Sequence, residues 1–285
     1  MKNTICRIFC VLFIIATLTA FAACGQQESQ IEIAIPNDTT NEARALLLLE
    51  QLGIIKLREG AGITATVLDI EENPRQIRFR EVEAAQIPNI LQDVDFAVIN
   101  SNYAIAAGMN PKLQALGLES GYSAYSNVLA VKAGNEENPL VKALVAALKS
   151  QRVADYITSQ YGGAVISAVD QTTDGYDATV DYVSLSGQTI SVAASPAPHA
   201  EILEIAKAIL AEKNITLDIQ VYTNYVTPNE VVEDGTCLAN YFQHIPYMED
   251  FNQNKKTHIV SVAKIHVEPL GIYGGRQTDL KTLLP

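Results

Sequence analysis

The 285-residue chain is short of positive charge: 20 Lys and Arg stand against 32 Asp and Glu, for a formal net charge of −12. Clustered basic residues, the electrostatic footprint of a nucleic-acid surface, are not expected from that balance and are not visible, so DNA and RNA are set aside as partners. Cysteine is scarce, with four in all, and no CxxC pair occurs. The four histidines, His199, His244, His258 and His266, lack a ligand spacing and no HExxH helix is present, which argues against a metal site. Neither a GxSxG elbow nor a Walker loop occurs, so no motif supports hydrolase or nucleotide chemistry. What the chain does have is 48% hydrophobic content, over a length that buries a sizeable core in one large or two medium domains.

Its first residues read as an export signal. Lys2 and Arg7 give a positive start, residues 8–18 are apolar, and Ala22-Ala23 precede Cys24. That run is too short to span comfortably as a mature transmembrane helix. The tetrapeptide Phe21-Ala22-Ala23-Cys24 resembles a bacterial lipobox, in which cleavage leaves the Cys to carry lipid; the alternative is an ordinary signal peptide cleaved near Ala23. Either reading takes the protein out of the cytoplasm. Cys6 and Cys10 fall within the signal, so a lipidated Cys24 leaves Cys237 with no disulfide partner. Residues 25–30 form a short polar tether.

The chain is organised around residues 31–53, IEIAIPNDTTNEARALLLLEQLG. Ile31, Ile33 and Ile35 alternate as in a strand, Pro36-Asn37-Asp38 breaks it, Thr39 with Glu42 predicts a capping box, and Gly53 stops the helix. Arg44 in the first turn of that helix faces the positive end of the helix dipole, at a cost of about 0.3 kcal/mol or more. An anion gripped by both the turn N–H groups and the guanidinium would offset that cost. The competing reading is an exposed Arg44 paired with Glu42 or Asp38.

Strands are expected at 63–70, 77–82 and 96–100 and a helix at 83–91, an alternation that predicts a mainly parallel sheet covered on both faces. Asn100-Ser101-Asn102-Tyr103 sits at the carboxyl end of the last strand, the edge where open α/β sheets bind ligands, although Asn100 or Asn102 also suits a helix cap. A strand at 127–132 and helices to 148 and over 151–161 follow, the second ended by Gly162-Gly163. Residues 170–188 are polar and turn-rich, and read as a linker. From Thr189 the same grammar returns: strand, Pro-broken turn, helix, then a strand over 216–222 ending in Thr223-Asn224-Tyr225. A helix near Pro228, a run through Phe242, Gln243 and His244, and a helix opened by Pro246-Tyr247 complete it. Tyr241 and Phe251 read as core. Tyr225, His244 and Tyr247 are polar-tipped at strand exits and read as a site facing Asn100 and its neighbours across a cleft.

The stretches IAIPNDTTNEARALLLLEQLGIIKL, DVDFAVINSNYAIAAG, ASPAPHAEILE, YTNYVTPN, LANYFQHIPYMEDFN and VAKIHVEPLGIY closely resemble the NlpA/MetQ family of methionine-binding lipoproteins of ABC importers. The resemblance implies a two-lobed periplasmic-binding-protein (type II) α/β fold, no enzymatic activity, no cofactor, and delivery of methionine to a membrane permease driven by an ATPase. The protein would sit on the cell membrane through lipidated Cys24, facing the periplasm or the exterior. Arg44 resembles the ligand-carboxylate partner, Asn100 and Asn102 the polar contacts to the amino-acid end, and Tyr225, Phe242, His244 and Tyr247 the walls around the thioether. A receptor for another small amino acid or a methionine-containing dipeptide, or an adhesin that has lost transport, is the alternative.

The order of the pieces departs from the family. There the segment resembling residues 189–285 comes first and that resembling 31–169 follows, so this chain looks circularly permuted, its old ends joined through 170–188. The expected lobes are then 31–125 with 268–285, and 126–267, with hinge strands at 126–132 and 262–271.

Overall fold

The apolar alternation of the strands decides the layers. The computed structural model describes residues 30–120 and 125–285; the export signal and Cys24 lie outside the described residues. In chain order these form β1 (Glu32–Pro36), α1 (Thr39–Gln51), β2 (Lys56–Leu57), β3 (Ile70–Glu72), β4 (Arg78–Val82), β5 (Phe96–Ile99), α2 (Ser101–Ala106), α3 (Pro111–Gln114) and β6 (Gly117–Leu118). There follow β7 (Asn127–Lys132), α4 (Pro139–Leu148), α5 (Gln151–Tyr161), β8 (Ile166–Ser167), α6 (Tyr182–Leu185), β9 (Thr189–Ala194) and α7 (Glu201–Ala211). The last are β10 (Thr216–Val221), α8 (Thr227–Glu233), β11 (Ala239–His244), α9 (Ile245–Lys255), β12 (Ile259–Val267) and β13 (Gly271–Gly274).

Two large sheets result, in the orders β4-β1-β5-β13-β6 and β10-β9-β11-β7-β12-β8. In β1, Ile33 and Ile35 point into one apolar cluster with Leu46, Phe96 and Ile272, while Ala34 points into another with Ile87 and Tyr103. That is the period of two expected of a strand covered on both faces. The second sheet is covered likewise, by Leu129, Val192, Leu203 and Tyr241 on one side and Val128, Ala193, Val232 and Met248 on the other.

Neither sheet is mainly parallel. β4, β1 and β5 are parallel, as are β10, β9 and β11, but β13 runs antiparallel to β5 and β6, and β7 to β11 and β12. The reason lies in how the chain changes sheets, after β6 and again through Glu268-Pro269-Leu270. Gly271 at the start of β13 pairs with Ile99 at the end of β5, and Asn127 at the start of β7 with His244 at the end of β11. Both crossings therefore enter at the edge where the parallel strands finish, and the entering strands must run back. β7 and β12 are laddered within the second sheet, and the second crossing, Glu268-Pro269-Leu270, falls within the stretch 262–271 where a hinge was expected.

Three local expectations change. Residues 63–70 are mostly not strand: 3-10 turns occupy Gly62–Thr64 and Val67–Asp69, because the Asp69 carboxylate accepts the Thr66 N–H at 2.9 Å and its hydroxyl at 3.0 Å, closing a turn. Ala84–Asp93 is 3-10 with Pro88 inside, whose missing N–H is incompatible with an α ladder. The polar stretch 170–188 contains α6 and lays Val180 and Leu185 into the core of the second sheet, while the Thr173 N–H donates to Lys149 O at 3.0 Å.

The C-terminal residues return to the first sheet. Leu283 is fully buried in the cluster of Ile33 and Leu46, and Arg75 Nε donates to Leu284 O at 2.7 Å. The Arg78 N–H donates to Ile31 O at 2.8 Å, so both ends of the described chain lie against residues 75–78, at the start of β4.

Candidate functional site

The unit β1-α1 supplies the first wall. Asp38, not Thr39, is the N-cap: its carboxylate accepts the Asn41 N–H at 3.1 Å and Asn41 Nδ2 at 2.9 Å, and burial raises its pKa. Glu42 does not reach back to cap; it accepts the Val67 N–H at 3.0 Å. Since α1 starts at Thr39, Arg44 lies beyond the first turn, where the dipole has largely faded.

Arg44 is not the exposed residue of the competing reading. It is buried, and its partner is neither Glu42 nor Asp38 but Glu119, 75 residues away. Nε donates to both Glu119 oxygens at 2.8 and 3.0 Å, and Nη2 donates to Oε2 at 2.5 Å and to Glu268 O at 2.8 Å. The guanidinium carbon stands 4.4 Å above the Tyr125 ring. The anion that offsets Arg44 is thus, in the first instance, a side chain of the protein.

Asn100 ends β5 and occupies the N-cap position of α2 without capping it; Nδ2 instead donates to Asn41 Oδ1 at 2.8 Å. Asn102 Oδ1 accepts from the Tyr225 hydroxyl at 2.7 Å, across the gap between the sheets. This leaves Asn100 Oδ1 and Asn102 Nδ2 buried without a hydrogen-bond partner. Such orphans cost about 1–3 kcal/mol each unless something satisfies them.

From the other side come the aromatics. Tyr225, Phe242 and Tyr247 form a triangle with ring centroids 5.7–6.0 Å apart, and the Tyr247 hydroxyl donates to Tyr225 O at 3.0 Å. His244 ends β11 and caps α9: Nδ1 accepts the Tyr247 N–H at 3.2 Å. Burial and the Arg44 charge hold its pKa well below the usual value. The ring is therefore neutral with its proton on Nε2, which points at Asn41 Oδ1 from 3.5 Å.

All seven side chains singled out from the sequence, Arg44, Asn100, Asn102, Tyr225, Phe242, His244 and Tyr247, line one cavity between the sheets. Ser101 and Gln243, from within the two polar clusters, line it too, as do Asn41, Asn127 and Glu268, which no sequence pattern singled out. Glu268 is the telling omission. It follows β12 on the crossing and is buried, and burial raises its pKa. Its only sequence signal is position, a carboxylate next to Pro269 at a strand exit.

Two histidines thought scattered meet behind it. His266 Nε2 lies 2.8 Å from Glu268 Oε1 and His199 Nε2 3.4 Å from the same atom. The ligating atoms of this trio lie within 4.8 Å of one another, a spacing a metal could use. Every ring nitrogen already has a partner, however: Ser195 and Asn127 on His199 at 2.7 and 3.0 Å, the Tyr241 hydroxyl and Glu268 on His266. Burial lowers both imidazole pKa values to about 3, so the rings are neutral and act as a bracket that aims Glu268.

Comparison with known proteins adds the family. The model of the NlpA lipoprotein family matches residues 26–169 and 190–285. Membrane lipoprotein TpN32 of Treponema pallidum is 48% identical over 135 residues, 47% of this chain and 50% of that protein. The D-methionine-binding lipoprotein MetQ of Escherichia coli (strain K12) is 37% identical over 137 residues, 47% of this chain and 51% of that one. A solved nutrient binding protein from Burkholderia cenocepacia bound to methionine is 50% identical, with 47% of this chain and 57% of that chain covered and a TM-score of 0.46. The chain spans about half the length of the curated relatives it matches. Among the described residues no helix is long and apolar enough to cross a membrane.

Proposed function

The chain belongs to the NlpA lipoprotein family, and from that premise we propose that it is a lipid-anchored receptor which captures methionine between its two sheets and hands it to an ABC permease and its ATPase. The observation that carries this is the pair of orphaned amide atoms. One buried acceptor, Asn100 Oδ1, and one buried donor, Asn102 Nδ2, face a cavity that also contains a guanidinium and a carboxylate. A zwitterion satisfies that set: its ammonium donates to Asn100 Oδ1 and Glu268, and its carboxylate accepts from Asn102 Nδ2 and Arg44. The thioether then lies against Tyr225, Phe242 and Tyr247, where each sulfur–ring contact is worth about 0.3–1.5 kcal/mol. Binding is all this constellation needs to do, and the reading assigns it no chemical step.

On this reading the lobes are residues 31–125 with 268–285, and 126–267, and Cys24 carries the anchor. The permuted order is supported by the family match, which omits 170–189, and by relatives that align over half their length, since a collinear alignment accommodates one segment at a time. Calorimetry on the chain without residues 1–24, with methionine of either hand, norleucine and a methionyl dipeptide, tests the ligand. Methionine is expected to bind more tightly than norleucine. A stronger dipeptide would reassign the substrate, and a folded protein that binds none of them would favour an adhesin.

A further inference from the structure

We infer that Glu119, which does not itself line the cavity, is a positioning residue: it aims Arg44 and cancels its charge, so that the site selects its ligand by the amino group more stringently than by the carboxylate. This rests on reading the cavity as an amino-acid site. The Glu119 carboxylate covers the Nε–Nη2 edge of the guanidinium, the edge best suited to a bidentate anion, at 2.5–3.0 Å. Nη2 is further engaged by Glu268 O at 2.8 Å, which leaves Nη1 as the guanidinium nitrogen without a hydrogen-bond partner among the described residues.

Glu119 is held as firmly as it holds. Its Oε2 accepts the Leu270 N–H at 3.1 Å, and its own N–H donates to Leu270 O at 2.9 Å beside the β6-β13 ladder. With side chains only 4% and 8% exposed, neither partner of the ion pair has solvent to turn into. A ligand carboxylate therefore meets only the two fixed N–H groups of Nη1, on a pair whose net charge is zero. A ligand ammonium meets Glu268, whose carboxylate leans on two uncharged imidazoles and, although it feels the Arg44 charge, is ion-paired with no Arg or Lys among the described residues. The carboxylate end is read by geometry and the amino end by charge, and a buried unpaired charge discriminates more strongly than an oriented dipole.

Two analogues separate the ends: methioninamide keeps the ammonium and removes the carboxylate charge, while 2-hydroxy-4-(methylthio)butanoate keeps the carboxylate and replaces the ammonium by a hydroxyl. Calorimetry on the full chain in detergent is expected to show the amide bound more tightly than the hydroxy acid. In Glu119→Gln, Arg44 becomes an uncancelled cation, and the ratio of hydroxy-acid to amide affinity should rise by about tenfold or more. Glu119→Asp keeps the charge and should leave the ratio near its unsubstituted value. A merely structural Glu119 would lower both affinities in parallel, and an unchanged ratio in Glu119→Gln overturns the inference. So does a hydroxy acid that outbinds the amide in the unsubstituted chain, a result that stands even if Glu119→Gln fails to fold. Absence of methionine binding itself would overturn the amino-acid reading, and this inference with it.

Discussion

The two ends of the cavity are built on different principles. The polar end is tied by directional bonds that join α1, the start of α2 and both crossings: Arg44 to Glu119 and Glu268, Asn41 to Asn100, and the Ser101 hydroxyl to Pro269 O. The aromatic end is a set of rings 5.7–6.0 Å apart, anchored by single hydroxyl bonds at Tyr225 and Tyr247. Bonds specify a shape to a few tenths of an ångström, whereas ring packing specifies a volume and a polarisability. The polar end should punish substitution severely and the aromatic end mildly.

Arg44→Ala is the largest test of that contrast. It strands Glu119 as a buried unpaired carboxylate, so unfolding in denaturant should show a loss of about 3–5 kcal/mol even without ligand. Methionine binding should vanish with it. A variant as stable as the parent would mean that the ion pair does not hold the polar end.

Glu268→Gln comes next, with an expected loss of about 2–5 kcal/mol in methionine binding, read by calorimetry at neutral pH. Acidification should imitate it. Burial places the Glu268 pKa above its ordinary 4.5, so binding weakens as the pH falls through that raised value and the carboxyl takes up a proton. The same group acts with the opposite sign on the empty protein. Its contribution to stability is fully present below the unfolded pKa and is lost as the pH rises through the folded one. Melting and binding profiles that move in the same direction across this range would contradict the assignment.

Tyr225→Phe sits where the two ends touch. It removes the donor to Asn102 Oδ1 and leaves a second orphan on that amide, so binding should fall by about 1–3 kcal/mol while the ring wall survives. The mildest is Phe242→Leu, which keeps the volume apolar and forfeits one sulfur–ring contact. Its cost, about 0.3–1.5 kcal/mol, should apply to methionine and be nearly absent for norleucine, a comparison calorimetry resolves directly.

Residues 31–53 were legible because strand period, breaker and stop glycine all agree, and the structure departs from that reading mainly in moving the cap from Thr39 to Asp38. The mixed pairing of β7 and β13 was not legible, since it depends on the edge at which each crossing enters, a property of two sheets at once. The same holds in the site. Arg44 was conspicuous as a cation near a helix start, but the residue that answers it is 75 positions away, and nothing in the string LGLESG around Glu119 announces an ion pair. His199 and His266 looked unrelated because their spacing fits no helix or turn, yet β12 and the turn before α7 bring them to one carboxylate. Local pattern finds residues that break a local rule and is blind to those that are ordinary until the chain closes.

The place of β13 between β5 and β6 carries a consequence in time. A chain released from its amino end shows β1, β4 and β5 early, but their sheet has a gap one strand wide that only residues 271–274 fill, and Leu283 must still arrive beside Ile33. Every strand of the second sheet is already present at Val267. The half that emerges first is thus the half that is finished last, and it waits with an open β5 edge of the kind that invites pairing with a foreign strand. Newly made molecules should pass through a stage in which one sheet is closed and the other still exposes that edge, so the yield of folded protein will depend on how quickly the last stretch of chain follows.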